Sequence, residues 1–130
     1  MKTKEFTFKS ATGVCDIYGC RYTPDDDAVK AVIAINHGMA EHQERYRDFV
    51  SFLTSNGFAV YMHDMANHGK SNNDKNLTGY FGKKDGYKAL VKDFDSVVKT
   101  AKTDYPDKKL VIMGHSMGSF IVRCYTAWYP

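Results

Sequence analysis

Apolar residues fall along this chain in successive rhythms. Over residues 5–9 they alternate, with Phe6 and Phe8 on one side and Glu5, Thr7 and Lys9 on the other. That period marks a half-exposed strand. Thr12-Gly13 reads as a turn and residues 14–22 as a second strand, which together predict an antiparallel hairpin. Pro24 and the triplet Asp25-Asp26-Asp27 follow as a polar loop. Beyond it the alternation stops. Residues 31–35, 58–62 and 110–113 are continuous apolar runs, the pattern of strands covered on both faces, as in a parallel sheet.

Between these runs the spacing is helical. Tyr46, Phe49, Val50 and Leu53 fall at i, i+3, i+4 and i+7, and Asn56-Gly57 closes the segment as a left-handed C-cap. Tyr87, Leu90, Val91, Phe94, Val97, Val98 and Ala101 form a longer stripe, and Pro106 follows its end. Its opposite face, with Lys88, Lys92, Asp95, Lys99 and Lys102, reads as solvated. Residues 119–128 suit a third helix. Strands alternating with helices predict an α/β fold, a hairpin followed by parallel strands with right-handed crossovers and helices on both faces. In such sheets functional residues gather where the strands end. That singles out the loops beginning at His37, His63 and Gly114.

Composition narrows the function classes. The 130 residues are 43% apolar and 25% charged, as in a globular domain that buries about two-thirds of its unfolded surface. Lys and Arg number 18 against 15 Asp and Glu, a formal net charge of +3. That excess is small and its lysines are interleaved with aspartates, so no nucleic-acid partner is expected. No apolar run approaches the roughly 18 residues of a membrane span. Residues 1–10 are charged and do not read as a signal peptide. Cys15, Cys20 and Cys124 are sparse and lack CxxC spacing, which predicts reduced structural thiols and a cytoplasmic location.

The chemistry centres on Gly114-His115-Ser116-Met117-Gly118, a G-x-S-x-G pattern between a strand and a helix. Such a turn strains the serine backbone and presents its hydroxyl at a helix N-terminus, where N–H groups favour developing negative charge. Gly114 and Gly118 leave room for the turn. Asn36-His37-Gly38-Met39-Ala40-Glu41-His42 directly follows the 31–35 strand. An HG turn there suits a second oxyanion donor, the Met39 N–H, beside that of Met117. His37 reads as a loop-shaping residue rather than a base. The third loop holds Asp64, His68 and Ser71. Asp64 and His68, with His37 and His42, suggest a metal site, yet no H-x-H or H-E-x-x-H spacing appears. A hydrogen-bonded turn under the site is expected instead, with no metal.

Three motifs in this order, H-G-x-x-E-H-x-x-R-Y over residues 37–46, D-x-x-x-H-G-x-S over 64–71 and G-H-S-M-G over 114–118, resemble the α/β-hydrolase superfamily. More narrowly they resemble its monoacylglycerol lipase and lysophospholipase branch, grouped with serine aminopeptidases. The resemblance covers nearly the whole chain. It implies that Ser116 attacks an ester carbonyl to form an acyl-enzyme, with Met39 and Met117 as backbone oxyanion donors. Gly114, His115, Gly118, His37 and Gly38 would support elbow and loop. It implies no cofactor, a small lipid ester as substrate, and transient membrane contact. Alternatives are a peptidase or thioesterase on the same scaffold, or a non-catalytic module that keeps the elbow. The chain departs from the resembling sequences at Ala40 and Asn67, where they often carry glycine.

The superfamily places its acid and then its histidine after the serine. The 14 residues 117–130 contain no Asp, Glu or His. The expectation is therefore a partial hydrolase domain over residues 1–130, with five strands, the elbow and the following helix. The cap and the C-terminal half would be absent. The implied strand order, 1-2-4-3-5, leaves residues 110–113 on an edge open to self-association or complementation. Tyr80 and Phe81 either border a pocket or pack their own loop.

Overall fold

In the computed structural model, which describes residues 1–130, the hairpin is β1 (Lys2–Lys9) and β2 (Asp16–Thr23). They pair antiparallel from Lys2↔Thr23 to Lys9↔Asp16. The three apolar runs become β3 (Ala31–Asn36), β4 (Phe58–His63) and β5 (Leu110–Gly114). The helical segments become α1 (Arg47–Ser55), α2 (Gly86–Asp104) and α3 (Met117–Trp128). One sheet forms, in the order β1-β2-β4-β3-β5, with β3 parallel to both β4 and β5. This is the expected order, and β5 lies on the outside.

That order sets the helices and the site. From β3 to β4 the chain steps toward the hairpin, and from β4 to β5 it steps back past β3. Two right-handed crossovers in opposite directions put α1 on one face and α2 on the other. α3 returns on the α2 face. The strand order therefore reverses at β3, and the loops leaving β3 and β5 diverge around a crevice at the strand ends.

Alternate residues of the central strands feed two cores. Val32, Ala34, Ala59 and Tyr61 pack beneath Leu90, Val91, Phe94, Val98, Ile121 and Tyr125 of α2 and α3. Ile33, Ile35, Val60 and Met62 pack beneath Val50 and Leu53 of α1. Phe94 is fully buried and meets Tyr125 edge-on at 5.3 Å. Truncating such a ring removes about 3–5 kcal/mol of stability.

Some local expectations change, and one buried group is new. Val14 and Cys15 belong to the turn rather than to β2, because the Ser10 N–H donates to the Cys15 carbonyl at 3.0 Å. Phe49, expected in the α1 stripe, remains 39% exposed because no element packs on its flank of the helix. Asp95 is 7% exposed rather than solvated, and it pairs with Lys99 at 2.7 Å. Asp93 sits inside the buried stripe of α2. Its Oδ2 accepts from the Ser10 hydroxyl at 2.6 Å and its Oδ1 from the Ala11 N–H at 2.7 Å, tying the hairpin turn to the helix.

Two buried titratable groups pull stability in opposite directions. Burial raises the Asp93 carboxyl to about 6, although its bonds to Ala11 and Ser10 oppose the rise. Burial lowers the His63 imidazole to about 3, with His37 adding to the effect. The folded chain keeps a proton on Asp93 that the unfolded chain, at 3.8, has released. That contribution is present below the unfolded value and is lost as pH rises to about 6. The His63 contribution is present above 6.5 and is lost as pH falls toward about 3. Asp93→Asn removes only the first. Its stability in urea melts should fall behind that of the wild type by about 2 kcal/mol between pH 6 and pH 4. Parallel curves would contradict this assignment.

Backbone strain explains the two departures from glycine. Asp27, Ala40, Asn67, Asp85 and Ser116 have positive φ. Asn and Asp tolerate this region through local hydrogen bonds, but alanine does not. Ala40 holds φ 58° and Asn67 φ 53°, so glycine fits both positions without strain. Asn67 gains a compensating bond, its Nδ2 donating to the Tyr80 carbonyl at 2.7 Å. Ala40→Gly is expected to raise thermal stability by about 1 kcal/mol. Asn67→Gly should not, because it loses the Tyr80 bond. A less stable Ala40→Gly protein would contradict the strain argument.

Candidate active site

β5 ends at Gly114 and α3 begins at Met117, so two residues turn the chain. Ser116 takes φ 54° and ψ −121°, a conformation sparsely populated by residues with a side chain. The turn is held by the His115 N–H on the Asn36 carbonyl at 3.2 Å and the Gly118 N–H on the His115 carbonyl at 2.9 Å. A Cβ on Gly114 would strike the Gly118 carbonyl, and one on Gly118 would strike the carbonyls of Asn36 and His37. Both glycines are thus required by close backbone approach. Ser116 is exposed and its hydroxyl has no protein hydrogen-bond partner.

The loop after β3 lies against this turn. A Cβ on Gly38 would sit 3.1 Å from the Ser116 Cβ and 3.2 Å from the His115 carbonyl. Met39 follows, 57% exposed. Neither the Met39 N–H nor the Met117 N–H donates to a protein acceptor, whereas the neighbouring Ala40 and Gly118 N–H groups do. Two unused donors therefore flank the serine at the crevice.

His37 is buried, with Nδ1 2.7 Å from the Gly38 carbonyl and Nε2 accepting from the Met65 N–H at 2.9 Å. A carbonyl only accepts and an amide N–H only donates, so the ring is neutral with its proton on Nδ1. Burial lowers its pKa, and the Gly38 carbonyl and Asp64 only partly oppose that. His37 shapes its loop and is in no position to serve as a base. His115 is exposed, its Nδ1 3.7 Å from Glu41 Oε2 and its ring edge-on to Tyr46 at 6.5 Å. Burial alone would raise the Glu41 pKa. The Tyr46 hydroxyl, the Gly38 backbone and the imidazoles of His37 and His115 outweigh that and hold it low. Glu41, Tyr46 and His115 are all motif positions in the sequence, but their contact between the loops joins residues up to 74 apart and has no signal there.

The loop after β4 is a hydrogen-bonded support. Asp64 Oδ1 accepts from the Gln43 N–H at 2.8 Å and Oδ2 from the Lys70 N–H at 2.9 Å. The Ser71 hydroxyl donates to the Asp64 carbonyl at 2.6 Å and accepts from the Tyr18 N–H at 2.9 Å. His68 accepts from the Ala40 N–H at 3.2 Å through Nε2, and its Nδ1 lies 2.9 Å from the Ala66 carbonyl. The lone pairs a metal would need on Asp64 and His68 are held by backbone donors. Phe81 stacks on His68 at 5.7 Å, so it packs its loop rather than bordering a pocket. No imidazole of the chain is hydrogen-bonded to the Ser116 hydroxyl. No helix is long and apolar enough to cross a membrane.

Comparison with known proteins agrees with this geometry. The family described as serine aminopeptidase, S33, matches residues 27–130. A monoacylglycerol lipase of Mycolicibacterium smegmatis is 35% identical over 129 residues, covering 97% of this chain and 42% of that protein. A monoglyceride lipase homolog of monkeypox virus is 36% identical over 106 residues, covering 82% of this chain and 36% of that protein. The crystal structure of a thermostable carboxyl esterase from Bacillus coagulans superposes with a TM-score of 0.89 at 32% identity, covering 98% of this chain and 40% of that one. The chain thus spans less than half the length of these relatives. With its strand order, its serine turn and a family match over most of its length, the chain belongs to the serine aminopeptidase S33 family of α/β-hydrolases, in the branch of the monoacylglycerol lipases.

Proposed function

We propose that these residues form the nucleophile-bearing part of a serine hydrolase that cleaves carboxylic esters of lipids, of the monoacylglycerol or lysophospholipid class. One observation carries the reading: a strained, exposed Ser116 hydroxyl beside two backbone N–H groups, of Met39 and Met117, that no protein acceptor uses. Ser116 Oγ attacks the ester carbonyl carbon and its proton passes to a base. The carbonyl oxygen becomes an oxyanion held by the two N–H groups, which need no reorganisation as charge develops. Collapse expels the alcohol, which takes the proton, and leaves an acyl-enzyme. Water then repeats the sequence to release the acid.

The base and its acid partner are assigned to residues outside these 130, because none of the five imidazoles is hydrogen-bonded to the Ser116 hydroxyl: His37 and His68 have both nitrogens committed, His63 is fully buried, His115 faces Glu41, and His42 makes no side-chain hydrogen bond. The domain is accordingly read as partial. The outer edge of β5 is unpaired, and Val111 on that strand is 52% exposed. Further strands are assigned to that edge, in the same polypeptide or by complementation. The lipid class rests on the named lipases among the relatives and on the apolar Met39 and Met117 beside the serine. A cytoplasmic enzyme with brief membrane contact fits this substrate.

In the full polypeptide that carries these residues, a fluorophosphonate probe is expected to label Ser116, and Ser116→Ala to abolish labelling. The 130-residue chain alone should show little or no turnover of a short-chain p-nitrophenyl ester. Absence of labelling would remove Ser116 as nucleophile. Robust turnover by the short chain, lost in Ser116→Ala, would overturn the partial-site assignment.

A further inference from the structure

We propose that His68 is a positioning residue for the Met39 oxyanion donor, and that it acts only as the neutral imidazole. The proposal deepens the ester-hydrolase reading. His37 and His68 form a reciprocal brace between the β3 and β4 loops. His37 stands on the β3 loop and accepts from the Met65 N–H of the β4 loop at 2.9 Å. His68 stands on the β4 loop and accepts from the Ala40 N–H of the β3 loop at 3.2 Å. The rings lie 5.5 Å apart, and His68 is sandwiched further by Phe81 at 5.7 Å and 11°.

The brace acts on the residue that most needs holding. Ala40 is the one alanine of the chain at positive φ, and it follows Met39 directly. An alanine leaves that conformation readily unless its neighbours fix it. The His68 acceptor engages its N–H, while the next N–H back, that of Met39, has no protein acceptor and follows Gly38, which lies against Ser116. Without the acceptor, the peptide between Met39 and Ala40 is free to rotate about Met39, and the adjoining Gly38–Met39 peptide that carries the donor loses its fixed neighbour.

The same geometry makes the brace proton-sensitive. The Ala66 carbonyl takes the Nδ1 proton, and the Ala40 N–H needs the Nε2 lone pair. A second proton on Nε2 would point at a backbone N–H, and it would place a cation 5.5 Å from His37. Around the pair, Glu41 and His42 come from the β3 loop, Asp64 and Lys70 from the β4 loop, and Tyr80 from the segment that carries Phe81. Both Asp64 carboxylate oxygens already serve backbone N–H groups, so neither offers the imidazolium a direct partner.

The test uses the full polypeptide with His68→Phe, which keeps the stacking but loses the acceptor, and His68→Gln, whose side-chain oxygen can accept from Ala40. Two readouts are taken: kcat and KM for p-nitrophenyl butyrate, and hydrogen exchange of the peptide spanning Gly38–Glu41. Loss of an oxyanion donor lowers kcat by about 100- to 1,000-fold, and loosening one is expected to lower it by roughly 10- to 100-fold. So His68→Phe should lose kcat in that range with KM little changed, and Ala40 should exchange faster. His68→Gln should recover most of both. Ala40 protection should drop more steeply as pH is lowered in the wild type than in His68→Gln, where only His37 still responds. Unchanged exchange in His68→Phe, or pH dependence in His68→Gln as steep as in the wild type, would overturn the brace. Faster exchange with unchanged kcat would overturn its role in positioning the donor. An inactive wild type would sink the ester-hydrolase reading instead, and exchange would still decide the brace.

Discussion

Two neutral imidazoles, each with both nitrogens committed to backbone groups, hold the candidate site together. His37 and His68 reach in opposite directions between the loops that leave β3 and β4. Each has its proton on Nδ1 because a carbonyl lies there, and each accepts at Nε2 because an amide N–H lies there. Such buried polar groups are costly when half satisfied and rigid when fully satisfied. Here the rigidity goes to the one place where the backbone is strained on both sides of a gap, at Ala40 and at Ser116. The Asp64 carboxylate and the Ser71 hydroxyl extend the same network to Gln43, Lys70 and Tyr18. The crevice floor is therefore fixed by hydrogen bonds together with the apolar packing of Met65, Ala66 and Phe81.

Topology explains why the network is needed at that point. The strand order reverses at β3, so the β3 and β5 loops leave toward opposite faces. Divergent loops do not support each other through their helices, which lie on different sides of the sheet. Contact between them rests on backbone closeness: the Asn36 and His37 carbonyls against Gly118, and Gly38 against Ser116. A side chain at any of these glycines would hold the loops apart. The serine turn and the HG turn are thus one structure contributed by two loops.

Much of this was legible in the sequence, for a physical reason. Parallel strands buried on both faces leave continuous apolar runs, and residues 31–35, 58–62 and 110–113 carry them. Sharp turns need glycine at fixed spacing, so Gly114 and Gly118 mark the elbow. Those signals are local. What stayed hidden depends on contacts distant in sequence. Asp93 breaks the apolar stripe of α2, but nothing in its neighbours tells that it anchors Ser10 and Ala11, more than 80 residues away. The Val14–Cys15 turn is closed by a local bond, from the Ser10 N–H to the Cys15 carbonyl, that no residue type there marks. Phe49 fits a helical stripe perfectly well in sequence, yet burial depends on what packs alongside. The bond from Ala40 to His68 appears in sequence only as two non-glycine residues, Ala40 and Asn67, at positions that favour glycine.

The central claim is that Ser116, Met39 and Met117 converge on one reacting carbonyl. The most direct measurement is a crystal structure of the full polypeptide after reaction with a phosphonate ester that mimics the tetrahedral intermediate. The account predicts phosphorus bonded to Ser116 Oγ, with the phosphoryl oxygen about 2.7–3.1 Å from both the Met39 and Met117 nitrogens. A phosphoryl oxygen turned away from those two N–H groups, or phosphorus on another residue, would contradict it.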